Sequence, residues 1–180
     1  MPSTAISNLV VNEAGVFFSQ VCKAATSLMS NPAGVELVQI FRSLPNVSVA
    51  EVTPEHGAHF DPILNTIYWK DEGFAPEGAK MEKNKECIYP SWVVLAHEMG
   101  HAIQFAESKL TGPLWFQLYC DSQEAVEQDN IRRHEWPIVR SLGMFVRLAY
   151  TDPGMKDMRA FRSKFKKEIL AGAKKMGSAA

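Results

Sequence analysis

His97-Glu98-Met99-Gly100-His101 is the stretch whose residue types and spacing could do chemistry. On a helix, residues four apart stand one turn apart on the same face, so both imidazoles could hold one Zn²⁺ through neutral ring nitrogens at about 2.0–2.1 Å. Glu98, beside them, could reach a water on the ion rather than the ion itself. Zinc lowers the pKa of a bound water towards 7, and a neighbouring carboxylate can then take its proton, which is what a hydrolase requires. So short a pattern also arises by chance, and its surroundings decide its weight. From Trp92 to Phe105 the chain holds few polar residues outside the motif; Val93, Ala96, Gly100 and Ile103 cover one flank, and Leu95, Met99, Ala102, Phe105 and Ala106 another. That spacing predicts a helix buried nearly all round, opened by Tyr89-Pro90-Ser91. Two His and a Glu inside such a helix are costly without partners, and a metal ion is one.

A catalytic zinc commonly has three protein ligands. The pattern HExxHxxGxxH is interrupted at Gln104 and its third His is absent, so a carboxylate from a later helix is expected instead. The candidates are Glu124 and Glu127, with Asp129 and His134 behind them. Asp121-Ser122-Gln123-Glu124 resembles a capping box, with Asp121 at the N-cap and Glu124 at N3, which gives Glu124 a local duty. Glu127 has none, and it shares a face with Ile131 and His134, four and seven residues on. Glu127 is therefore preferred as the ligand and Glu124 stays open as the alternative. Whichever does not bind, together with His134 and Glu135, could orient His97 or His101 through a ring N–H. Arg132, Arg133 and Glu135 read equally well as a solvated helix end. Arg147 and Tyr150 would lie near each other in a helix or turn and could face a developing oxyanion, although that spacing is common on ordinary surfaces.

Elements must position these residues. A chain of 180 residues fits one domain with a real core, and 46% hydrophobic with 22% charged residues describes a globular protein. Residues 8–29 carry apolar spacing, Leu9, Val10, Val16, Phe17, Val21 and Leu28, for a helix broken near Gly15. Ser30-Asn31-Pro32 reads as a cap followed by Pro at the first helical position, opening a second helix over Gly34 to Ser43. Val47 to Val52 alternates as a strand and Ile67-Tyr68-Trp69 reads as another, the two pairing in a small sheet. His56 and His59, in the polar turn between them, are read as exposed loop residues in preference to a second metal site. Asp71 to Lys85 is a loop that could line a cleft. Thr111-Gly112-Pro113 breaks the chain, and a helix from Asp121 to about His134 is bent or ended by Pro137.

Composition bounds the rest. No apolar run reaches the length of about 18 residues that a transmembrane helix needs. The first Lys or Arg is Lys23, which argues against a Sec-type signal. Cys22, Cys87 and Cys120 are odd in number and scattered, as free thiols in a reducing compartment would be. The net charge of −1 hides a basic segment: residues 156–175 hold eight Lys or Arg against Asp157 and Glu168. Met158, Phe161, Phe165 and Ile169 make that segment amphipathic, and a helix docked by this stripe is preferred to membrane or nucleic-acid contact.

Three blocks together carry a resemblance: Leu95 to Ala102, then Glu124-Ala125-Val126-Glu127 through Arg140, then Leu142-Gly143 with Arg147-Leu148-Ala149-Tyr150. They resemble the NleD-type metallopeptidase effectors, zinc proteases that bacterial pathogens inject into host cells by type III secretion. The order HExxH, distal Glu, Arg-x-x-Tyr is also similar to the core of clostridial neurotoxin light chains. The resemblance spans residues 30–152 and rests mainly on 92–150. It implies an α+β, zincin-like fold, mainly helical, with a small β-sheet packed on the HExxH helix. It implies His97, His101 and Glu127 as zinc ligands, Glu98 as general base, and Arg147 and Tyr150 as transition-state stabilisers. Residues 1–29 would be an N-terminal segment with a possible secretion signal, 30–152 the metallopeptidase core, and 153–180 a basic C-terminal helix of the same domain. The implied activity is a zinc-dependent endopeptidase acting in the host cytoplasm on a host protein, as with the signalling kinases that known relatives cut, without nucleic acid or membrane insertion. Here Glu127-Gln128 stands where an acidic pair often does, which keeps Glu124 in play. The competing expectation is a zinc-binding non-peptidase or a scaffold with an unused site. Against a structural zinc, no two cysteines have ligand spacing.

Overall fold

A computed structural model describes residues 4–53, 57–74, 88–144 and 146–147. The chain begins with a strand β1 (Leu9–Val11), followed by α1 (Val16–Met29) and α2 (Pro32–Phe41). Strands β2 (Val47–Glu51), β3 (His59–Asp61) and β4 (Thr66–Trp69) come next. The C-terminal half is helical: α3 (Ser91–Ser108), α4 (Gly112–Asp121), α5 (Gln123–Asn130), a π-helical turn (Ile131–Glu135) and α6 (Trp136–Ser141). The fold is α+β.

The four strands form one mixed sheet in the order β1-β2-β4-β3. β1 and β2 are parallel with Leu9 opposite Val47, β2 and β4 are parallel with Val49 opposite Ile67, and β3 returns antiparallel on β4 with Phe60 opposite Ile67. Parallel neighbours need a crossover, which α1 and α2 provide between β1 and β2. Between β3 and β4 the chain turns tightly: Asp61 Oδ1 accepts from the Ile63 and Leu64 amides at 2.8 and 3.0 Å, and Asn65 takes a left-handed φ of 49°. The pairing of the two expected strands is thus observed, in parallel.

Helix α3 lies at the centre, against α1, α2, β3, β4, α4 and α5. Every residue from Leu95 to Gln104 is buried, as the all-round apolar pattern predicts. Trp69 donates its indole N–H to the Ser91 carbonyl at 2.9 Å, fixing the start of α3 to the sheet. Among the described residues no helix is long and apolar enough to cross a membrane.

Several expectations are corrected. Residues 9–11 are a strand, not part of a helix. Two β-branched valines follow Leu9, the strand pairs with β2 with Leu9 and Val11 buried, and α1 starts only after Gly15, whose φ of 101° lies outside the helical region. Thr111-Gly112-Pro113 opens a helix, α4, instead of breaking the chain. Pro113 sits in its first turn, where its missing N–H costs nothing, and Gly112 is tucked so close to the β3–β4 turn that a Cβ there would come within 2.5 Å of the Pro62 carbonyl oxygen. The capping box is absent: α4 runs through Asp121, Ser122 precedes α5 without a side-chain cap bond, and Glu124 falls at the second helical position. Pro137 does not end the helix. The ladder widens to a π-turn just upstream, with the Trp136 N–H donating to the Ile131 carbonyl, and Pro137 enters the first turn of α6. His56, Cys87, most of the 71–85 loop, Tyr150 and the basic segment 153–180 lie outside the described residues.

Candidate metal centre

His97 and His101 project from one face of α3, and Glu127 reaches them from α5. The pairwise separations are 3.1 Å between the two Nε2 atoms, 3.2 Å from His97 Nε2 to Glu127 Oε2 and 3.3 Å from His101 Nε2 to Glu127 Oε1. With one ligand atom taken from each residue, the three donors lie within 4.8 Å of one another, close enough to share a small divalent metal. All three residues are buried. Glu98 Oε2 is buried with no hydrogen-bond donor, and Glu127 Oε2 faces only the His97 imidazole, carboxylate oxygens that burial makes costly unless a cation or a proton meets them. Glu124 is exposed and has no part in the cluster. The preference for Glu127 over Glu124 therefore agrees with where the two side chains lie, although the capping argument behind it does not stand.

Outer contacts set the tautomers. His97 Nδ1 lies 3.0 Å from Glu135 Oε2, and His101 Nδ1 lies 2.9 Å from Gln104 Oε1. Both acceptors require Nδ1–H, so that in the neutral imidazole the lone pair is left on Nε2, facing the shared centre. Gln104 is held in turn, its Nε2 donating to the Val126 carbonyl at 3.0 Å and to Asp129 Oδ2 at 2.9 Å. Arg147 grips Glu135 through Nε (2.8 Å) and Nη2 (2.5 Å). Its Nη2 also stands 3.2 Å from His97 Nδ1. Both nitrogens are donors in this tautomer, so that approach is a consequence of their common acceptor, Glu135. The Arg147 backbone is pinned on both sides: its N–H donates to Tyr89 Oη at 2.9 Å and its carbonyl accepts from the Trp136 indole at 2.7 Å.

The expected roles sort accordingly. Glu135 is buried on His97, which excludes a solvated helix end. His134 is buried beneath Gly100, and its Cδ2 would stand 2.9 Å from a Cβ there. Arg133 does carry a surface ion pair, to Glu107 at 2.6 Å. Arg147 lines the cavity in front of the three ligands. His59 sits in β3, exposed, and lines the same cavity instead of ligating the centre.

By themselves the protein groups form a coupled charge network. Burial disfavours a charged His97, but its contacts with Glu127 and Glu135 outweigh that and raise its pKa to about 10. Burial pushes Glu127 upwards as well, yet the two imidazoles hold it well below the usual carboxylate range. Glu98 is raised, by burial above all. Proton-holding imidazole and anionic carboxylate are the charge pattern that a divalent ion would replace.

Sequence reasoning missed Tyr119. Its hydroxyl donates to Glu127 Oε1 at 2.6 Å, while Gln123 donates to Tyr119 Oη at 3.3 Å. The ring stacks on Trp115 at 5.6 Å and meets His101 edge-on at 5.8 Å. The signal was present: Trp115 and Tyr119 are one helical turn apart after a Gly-Pro start. A cavity of about 520 Å³ opens over the ligands, walled by Phe60, Phe74, Val94, Trp115 and Phe116, with Glu98 on its floor. Comparison with protein-family models, with curated proteins and with solved structures finds no match for this chain.

Proposed function

We propose that this chain is a zinc-dependent endopeptidase. The carrying observation is the convergence of His97, His101 and Glu127 within 3.1–3.3 Å of one another beside the orphaned carboxylate of Glu98, at the floor of an open, largely apolar cavity. Bound there, a divalent zinc would supply Lewis-acid polarisation of a carbonyl and a lowered water pKa. The rest falls to the chain's own groups. Glu98 Oε2 takes the proton of the attacking water and returns it to the leaving amine. Burial raises its pKa above the ordinary carboxylate value, which makes it a better proton acceptor than an exposed carboxylate. Glu135 keeps His97 in the tautomer that frees Nε2, and Arg147, fixed on Glu135, brings positive charge to the cavity wall where an oxyanion would develop. Tyr150 is the second candidate for that task by resemblance.

The apolar walls would receive apolar side chains of a substrate. Together with the zincin-like order of motifs, this supports the reading of a type III effector that cuts a host protein, a signalling kinase being the class its resemblance suggests. The test is proteomic: host-cell lysate is incubated with wild-type protein and with Glu98→Ala, and new peptide N-termini are compared. Termini formed only by wild type are expected. Their absence from lysates of several hosts, with zinc bound stoichiometrically, would overturn the peptidase reading in favour of a zinc-binding scaffold.

A further inference from the structure

The two oxygens of Glu127 are unequal, and one tyrosine makes them so. Oε1 accepts the Tyr119 hydroxyl at 2.6 Å and lies 3.3 Å from His101 Nε2, whereas Oε2 faces only an imidazole, His97 Nε2 at 3.2 Å, and receives no hydroxyl or amide donor. The phenol has one proton, and because its oxygen already accepts from Gln123, that proton is directed at Glu127. The half-buried ring is braced by stacking on Trp115 and by an edge-on contact with His101. We propose that Tyr119 is a positioning residue that occupies Glu127 Oε1 and so restricts this carboxylate to one ligating oxygen, Oε2, leaving room at the metal for a substrate oxygen. A carboxylate free at both oxygens could bind in bidentate fashion and fill that room. The inference rests on the metal-centre reading and adds to it the device that keeps the centre open.

Co²⁺ is the probe, since its visible d–d bands weaken as coordination number rises. Wild-type protein and Tyr119→Phe are loaded with one equivalent, with folding followed by circular dichroism and affinity by competition with a chromogenic chelator. Wild type should bind one ion with strong bands. Tyr119→Phe, which keeps the stacked ring, should show clearly weaker bands and a loss of affinity of about tenfold or more. Bands as strong as wild type's in Tyr119→Phe overturn the proposal. A wild type that binds no ion brings down the metal-centre reading itself, a separate result. A second arm covers failure of the first variant to fold: Glu127→Gln keeps one ligating oxygen and faces Tyr119 with an amide, so it should still take up one Co²⁺, more weakly, with wild-type-like bands. Complete loss of binding there counts against a one-oxygen role.

Discussion

At the scale of single residues, the buried carboxylates differ in their contacts. Glu98 touches neither imidazole through a hydrogen bond and ends in an unpartnered oxygen, so its removal should leave the ligand set intact. Glu98→Ala is expected to keep metal and fold and to lose about 10²–10⁴-fold in kcat, checked by metal analysis beside turnover of a cleavage-site peptide. Glu127→Ala should lose the metal. Glu124→Ala changes an exposed side chain with no cap bond to lose, so it should keep metal and shift stability by less than about 0.5 kcal/mol in urea unfolding. If Glu124→Ala strips the metal and Glu127→Ala does not, the ligand assignment fails.

At the scale of elements, the site is a junction between α3 and the α5 to π-turn segment, and Gly100 sets their spacing. A Cβ at Gly100 would stand 1.9 Å from Asn130 Oδ1, and Asn130 is fixed there by donating to the His97 carbonyl at 2.8 Å. Two effects oppose each other in Gly100→Ala. Helix propensity favours alanine by about 1 kcal/mol, whereas overpacking of a buried interface costs about 1–3 kcal/mol. A clash with a hydrogen-bonded side chain on a packed helix cannot relax cheaply, so the cost should win: a lower melting temperature, and weaker metal binding because Glu127 retreats with α5. A variant that melts higher and binds metal as well as wild type would contradict this account.

Across the whole molecule, the centre ties the two halves of the C-terminal region together, so ligation and folding should be linked. An ion held at about a hundred times its Kd adds about 2.7 kcal/mol, and chelator should lower the melting temperature accordingly. The pH dependence has a definite sign. In chelated protein the His97 value stands near 10 against an ordinary 6.5, because Glu127 and Glu135 prevail over burial. That stabilisation is therefore complete below about pH 6.5 and is lost as pH rises through about 10. Melting of chelated protein should decline over this window, while metal-loaded protein, whose His97 is already neutral, should not show that decline. Metal uptake at neutral pH must displace the His97 proton, so titration calorimetry in buffers of different ionisation heat should report about one proton released. No proton release would show that His97 is neutral before the ion arrives.

Local signals in the chain were enough for the HExxH helix, its burial, the Asn31-Pro32 start of α2, the strands β2 and β4, and the two histidines with Glu98. Each depends on a period or a cap that neighbouring residues impose on themselves. Glu127 was legible only in part, because a distal candidate ligand is set by where α5 docks and not by its own neighbours. The case for it through Glu124's capping duty failed once α4 was found to continue through Asp121. Gly112-Pro113 reads locally as a break or as a start, and contact with Pro62 decides for a start. The triplet Leu9–Val11 belongs to a strand because β2 offers it an open parallel edge, a partner 38 positions away. Tyr119 and Gln104 acquire meaning only when α4 and α5 close over α3. Chemistry was thus written in short-range spacing, whereas tautomers, charge pairing and the choice between two nearby carboxylates were decided by packing, since those depend on distances of about 3 Å between residues that the chain itself keeps far apart.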